Sequence, residues 1–208
     1  MIRTGIADIR PLYERVTYAH YYENLPQFRK EKADRIRDEK RKAQSVGVWV
    51  LYESLREKWN LSEEAPYNLS HSGDYVLCSI EDEEEKRSGI GCDIQENRPV
   101  PYSLIRRYFS SWEQAFILEK QQKEEREDAF CRCWTLKESF MKATRYGMKL
   151  GLHTFEIQMR EDGPELVRMP EQIKETYYLK EYFLDIPYHI AVCGMNREFA
   201  EEIQKVEL

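Results

Sequence analysis

The sequence predicts an α+β protein made of two α+β halves, and three observations carry that expectation. Stretches with helical periodicity are followed by strand-like runs twice along the chain, first to about Arg98 and again to the end. At 208 residues, with 41% hydrophobic and 12% aromatic content, the chain can bury a core as one large domain or two small halves. No apolar run approaches the roughly 20 residues of a membrane span, and the opening "MIRTGIADIRPLYERV" lacks the apolar centre of a secretion signal. A globular, cytoplasmic protein divided into residues 1–98 and 99–208 is therefore expected.

In chain order, "TGIADI" reads as a short first strand. A long helical stretch follows Pro26 and runs to about Trp59, with a break near Gly47. Its first part, "RKEKADRIRDEKRK" from Arg29 to Lys42, is predominantly basic in a chain whose net charge is −6. The acidic total argues against nonspecific nucleic-acid binding, whereas the basic run is either a solvated helix face or a seat for a phosphate-rich ligand. Asn68, Ser70, His71, Ser72 and Gly73 then form a polar turn ahead of a strand from Tyr75 to Ile80. Turn chemistry alone explains such residues, and hydroxyls, amides and an imidazole also suit a phosphate. "EDEEEKR" reads as a turn and Ser88 to Ile94 as the second strand of a hairpin.

Along "SGIGCDIQ" side chains alternate, so Ile90, Cys92 and Ile94 face one way and Gly89, Gly91, Asp93 and Gln95 the other. Two glycines there leave room for a close approach to the backbone, as where a ligand or ion lies against a strand. The second helical region spans about Leu104 to Tyr146, with a charged interruption at Lys120 to Asp128. "HTFEIQM", "TYYLKEYFLD" and "HIAVCGM" supply three further strand-like runs. Five cysteines, odd in number and set in apolar runs, suit reduced core thiols better than a disulfide framework.

The helix "FCRCWTLKESFMKA" gathers Ala129, Phe130, Cys133, Trp134, Leu136, Phe140, Met141 and Ala143 into one apolar arc. Lys137 points out of the middle of that arc, while Glu138 and Lys142 lie one turn apart at its edge and could face a common space. An ordinary surface pair beside a snorkelling lysine is the plain alternative.

Taken together, N-L-S-H-S-G, G-I-G-C-D-I and W-T-L-K-E-S-F-M-K in this order resemble the 4'-phosphopantetheinyl transferases, of the longer, pseudodimeric kind that serves peptide synthetases, polyketide synthases and fatty-acid carriers. "GMKLGLHTFEI" and "RRYFSSWE" extend the likeness, which covers Asn68 to Ile157. The resemblance implies two similar α+β halves forming a pseudodimer. It implies Mg²⁺-dependent transfer of the phosphopantetheinyl arm of coenzyme A to a serine of an apo acyl or peptidyl carrier protein, with Mn²⁺ able to substitute. By position it makes Asp93 and Glu138 metal ligands, Glu138 also the base toward serine, and Lys142 the lysine near the transferring phosphate. Asn68, Leu69, Ser70, His71 and Lys137 fall on positions that hold coenzyme A, with His71 directed at the 3'-phosphate.

The chain departs from the family pattern twice. Gln95 stands where many relatives carry a second acid, so it is expected as a weaker, uncharged metal ligand or a ligand through water. "WNLSEEAPYN" has no G-K-P-type segment, so Arg41 and Lys42, or Arg29 and Lys32, are expected to help grip the nucleotide. Arg106, Arg107, Phe109 and Trp112 are candidates for a carrier-docking face. A monomer without membrane or nucleic-acid partners is expected, the alternative being a coenzyme A or nucleotide binder of the same fold with weakened catalysis.

Overall fold

The computed structural model describes residues 1–82, 89–99 and 101–208. Two long helices, each laid on a sheet, organise the chain. In the first sheet β1 (Ile2–Asp8) pairs antiparallel with β3 (Tyr75–Glu81), β3 with β2 (Tyr67–Ser72), and the C-terminal β9 (Gln204–Val206) runs parallel to β1. After α1 (Arg15–Glu23) and α2 (Gln27–Asp34), α3 (Glu39–Lys58) covers this sheet and buries Ala43, Gly47, Leu51 and Leu55 at intervals of four.

The second sheet pairs β4 (Ile90–Glu96) with β8 (Tyr188–Gly194) and β8 with β7 (Tyr178–Tyr182), all antiparallel. Here α6 (Lys123–Ala143), preceded by α4 (Tyr102–Tyr108) and α5 (Ser111–Leu118), plays the part that α3 plays in the first sheet. β5 (Glu156–Arg160) and β6 (Gly163–Arg168) form a separate hairpin. A third core cluster joins the two sheets: Ile2, Ile6 and Leu77 pack with Ile90, Cys92, Ile94, Ile190 and Val192. The architecture is α+β, as the sequence predicts.

Several expectations need correction. The break in the first helical stretch falls at residues 35–38, where the Asp38 carboxylate accepts from the Arg41 N–H and caps α3. Gly47 instead lies inside α3, where a Cβ would come within 2.7 Å of Ile9 Cγ2, so its lack of a side chain serves packing. The hairpin is β2–β3 rather than β3–β4. The expected polar turn is itself the strand β2, closed by Gly73 at φ +53°. Most of "EDEEEKR" lies outside the described residues. β4 belongs to the sheet of β7 and β8, and β9 to that of β1, so a division at residue 98 separates β4 from its sheet. All five cysteines are free and buried. No helix among the described residues is long and apolar enough to cross a membrane.

What joins β2 to β4 is a ladder of side chains. Asn68 Oδ1, Ser70 Oγ and Ser72 Oγ, alternate residues of β2, accept from the N–H groups of Cys92, Ile94 and Glu96 at 3.0, 3.4 and 3.0 Å. The polar residues of β2 thus satisfy the otherwise open edge of β4.

Candidate active site

Helix α6 comes so close to β4 that a Cβ on Gly91 would lie 2.1 Å from Ser139 O and 2.4 Å from Ala143 N. The glycine does admit a close neighbour, and that neighbour is the helix. The contact brings Glu138 and Lys142 over the strand that carries Asp93 and Gln95. Lys142 Nζ donates to Asp93 Oδ1 at 2.8 Å, to Ser70 Oγ at 2.9 Å and to Cys92 O at 2.9 Å. Ser70 Oγ in turn donates to Asp93 Oδ1 at 2.8 Å. Burial opposes the Lys142 charge, but Asp93, Cys92 and Glu138 outweigh it and hold the ammonium above its ordinary pKa.

Glu138 is half-buried, and its carboxylate has no hydrogen bond or ion pair among the described residues. Burial and the neighbouring Asp93 raise its pKa, and Lys142 opposes the rise. Leu69, Ser70, His71, Asp93, Ile94, Gln95, Trp134, Glu138 and Lys142 line one open cavity of about 390 Å³. The predicted edge of α6 therefore faces the predicted strand.

A second cavity, of about 590 Å³, is lined by Arg29, Lys32, Arg35, Arg37, Asp38, Arg41, Ser45 and Val48, and by His71, which borders both cavities. Its one lining acid among the described residues is Asp38, the cap of α3. Arg29 is buried at its floor, with Nη2 donating to Ser45 O at 2.8 Å and the guanidinium stacked 4.7 Å from the centroid of the Trp49 ring. Its Nε and Ser45 Oγ have no partner among the described residues, and burial lowers the Arg29 pKa. Desolvation, then the charges of Lys142, Lys32 and Arg41, push the His71 imidazole below its ordinary pKa, against Asp93.

Not every candidate reaches these cavities. Lys42 turns to Glu39, Nζ to Oε1 3.0 Å, and is absent from the lining of the basic cavity. Asn68 spends its side-chain carbonyl on the Cys92 N–H and braces the strands; Ser70 borders the smaller cavity, but is buried with its hydroxyl fully used. Leu69 packs on the first core cluster and also borders the smaller cavity.

Lys137 does not snorkel, and it lines neither of these cavities. It is fully buried, donating to Glu113 Oε1 at 2.6 Å and to Phe155 O at 2.9 Å, with the Phe155 ring 4.1 Å away. Burial lowers its pKa and Glu113 opposes the shift. Its partner Glu113, which sequence reasoning missed, is signalled by the S-x-x-E capping box Ser110–Glu113 at the start of α5. Phe109 is buried in the core and Trp112 stacks on Phe116, which leaves Arg106 and Arg107 as the exposed members of the expected docking face.

Comparison with known proteins yields one family. The sequence model of the 4'-phosphopantetheinyl transferase superfamily matches residues 89–193, from the β4 glycines through α6 to β8. The chain is 34% identical over 143 residues to the 4'-phosphopantetheinyl transferase Sfp of Bacillus subtilis, covering 69% of this chain and 61% of that protein. It is 34% identical over 138 residues to the 4'-phosphopantetheinyl transferase psf-1 of Bacillus pumilus, covering 66% and 56%. The chain thus spans about 60% of the length of these curated relatives. A holo-[acyl-carrier-protein] synthase structure from Thermotoga maritima aligns over 51% of this chain and 61% of its own, at 19% identity and a TM-score of 0.43. On the superfamily match, the chain belongs to the 4'-phosphopantetheinyl transferase superfamily.

Proposed function

We propose that this protein transfers the 4'-phosphopantetheine arm of coenzyme A to a serine of an apo acyl or peptidyl carrier protein, releasing 3',5'-adenosine diphosphate. The observation that carries the reading is a continuous site. Asp93, Glu138 and Lys142 meet in one cavity, His71 borders it, and beyond His71 five basic side chains line a second cavity. A ligand with a reactive pyrophosphate at one end and a phosphorylated nucleotide at the other matches that distribution of charge. The unpartnered Arg29 Nε and Ser45 Oγ at the floor of the basic cavity support an anion there, because a buried cation without a counter-ion is costly.

The donor set fits Mg²⁺. Asp93 Oδ2 lies outside the hydrogen bonds that engage Oδ1, the Glu138 carboxylate is free of partners among the described residues, and Gln95 adds an amide oxygen at the same wall. Among the described residues no group of three or more His, Cys, Asp or Glu could hold a metal, so the site offers hard oxygens from two carboxylates, the sparse protein set that Mg²⁺ completes with water and phosphate. Bound there, Mg²⁺, or Mn²⁺ in its place, would neutralise charge on the pyrophosphate.

The chain's own groups supply the rest. Glu138, its basicity raised by burial, takes the serine proton as the serine oxygen bonds to the phosphorus that carries the pantetheine arm. The bond from that phosphorus to the bridging oxygen breaks, and its electron pair leaves with adenosine 3',5'-diphosphate. Lys142, fixed by three hydrogen bonds, places its charge beside the phosphoryl oxygens. His71 and the basic cavity hold the nucleotide. We place this activity in the cytoplasm and, because both cavities form within one chain, in a monomer.

The test is to incubate the protein with coenzyme A and a panel of apo carrier proteins, with and without Mg²⁺, and to record intact masses. One phosphopantetheinyl group gained only with metal is the expected result, and Glu138→Gln should abolish the gain without changing the melting temperature. Coenzyme A that stabilises the protein while no carrier gains mass would establish the weakened binder instead, with Gln95 as the first residue to exchange for glutamate.

A further inference from the structure

We infer that the buried Lys137–Glu113 pair is a positioning device for Glu138, so that Lys137 serves the reaction through the direction of helix α6 without touching coenzyme A. The inference rests on the transferase reading above.

Four hydrogen bonds among the described residues hold the pair. Lys137 Nζ reaches Glu113 Oε1 and Phe155 O, while Glu113 Oε1 also accepts from the Ile157 N–H at 3.0 Å and Oε2 from the Ser110 N–H at 2.8 Å. One side chain of α6 is thereby tied to the first turn of α5 and to the chain entering β5. Both residues are almost wholly buried, at 0% and 1% exposure.

Apolar residues of similar volume would fill that space at least as stably, so stability alone does not account for an ion pair. Hydrogen bonds add direction, which an apolar contact does not. On the far side of α6 the contact with Gly91 sets how closely the helix approaches β4. Apolar packing of Leu136, Phe140 and Met141 also holds the helix, and the Lys137 hydrogen bonds add a directional stop to rotation about its axis. Glu138 follows one residue later, about 100° round, and Lys142 one turn beyond. Releasing Lys137 therefore swings the base and the phosphate-facing lysine together.

The experiment uses Lys137→Met combined with Glu113→Gln, which removes both charges while leaving an amide oxygen to accept from the Ile157 N–H. Glu113→Asp is the second variant; it keeps both charges and shortens one arm, and it is read in the same way should the neutral pair prevent folding. With coenzyme A, Mg²⁺ and an apo carrier accepted by the parent, kcat should fall about 100-fold while KM for coenzyme A stays within about twofold. A parent-like kcat in a folded variant overturns the inference, and so does a KM that rises in step with the loss, which would put Lys137 on the ligand. If the parent serves no carrier, the transferase reading fails by itself and Mn²⁺ affinity decides the positioning. Affinity weakened about tenfold at an unchanged melting temperature supports it, and equal affinity overturns it.

Discussion

Replacing Gly91 with alanine should disable the site while leaving each of its functional groups chemically unchanged. The new Cβ would stand 2.1 Å from Ser139 O, 2.4 Å from Ala143 N and 2.9 Å from Lys142 Cβ. The first two are main-chain atoms of α6, so no rotamer relieves the overlap. Restoring even a very tight contact of 3.0 Å requires helix and strand to part by roughly 1 Å. A displacement of about 1 Å in a catalytic constellation costs on the order of 100-fold in rate, because Glu138 and Lys142 ride on the helix and Asp93 on the strand. Overpacking of this kind also destabilises by about 1–3 kcal/mol. Steady-state transfer and thermal unfolding, measured on the same preparation, separate the two effects. Nucleotide binding should survive, since the basic cavity is built on α2, α3 and β2. A Gly91→Ala protein with parent-like turnover would refute the claim that helix–strand approach sets the geometry of the site.

Other predictions concern charge. Because desolvation and nearby cations lower the His71 pKa in the free protein, while a phosphate beside it would raise it, coenzyme A binding should take up a proton. Affinity should then fall as pH rises through the interval between the two values, and calorimetry in buffers of different ionisation enthalpy should show proton uptake that His71→Ala removes. Gln95→Glu should lower the Mg²⁺ concentration needed for half-maximal turnover by restoring a charged ligand; an unchanged metal titration counts against Gln95 as a ligand. Arg29→Met should leave the melting temperature equal or higher, because it removes a buried charge with no carboxylate partner among the described residues, and weaken coenzyme A binding about tenfold or more in a direct titration. Binding unchanged in that variant would show that Arg29 serves only the core.

How much was legible in the sequence depended on whether a residue's partner was near it along the chain. Asp93 on a glycine-flanked strand and Glu138 with Lys142 on one helix edge could be read from alternation and helical spacing, and the fold brings them together. Lys137 could not, because a lysine inside an apolar arc reads equally as a snorkelling side chain or a ligand group. Only Glu113, 24 residues earlier, and Phe155, 18 residues later, decide that it is a buried tie. The same holds for Phe109, buried by packing that no local pattern announces, whereas Lys42 pairs with Glu39 only three residues earlier on its own helix. The capping signals Asp38 and Ser110–Glu113 were present in the sequence and set two helix starts that hydrophobic periodicity blurs.

The least readable segment, β2, explains why the site lies where it does. A strand that reads Asn-Leu-Ser-His-Ser lacks the apolar residues that mark a sheet, because half of its side chains face neither core nor solvent but the edge of another strand. Main-chain pairing of β2 with β4 would have made one continuous sheet with no room at the junction. Side-chain pairing holds the strands apart while still satisfying the β4 amides, and Lys142 enters that interval to reach Cys92 O, Ser70 Oγ and Asp93 Oδ1 together. The polar residues that obscure β2 as a strand are therefore the ones that open the seam between the two sheets. His71, on the alternate face of the same strand, then stands where that seam meets the basic cavity.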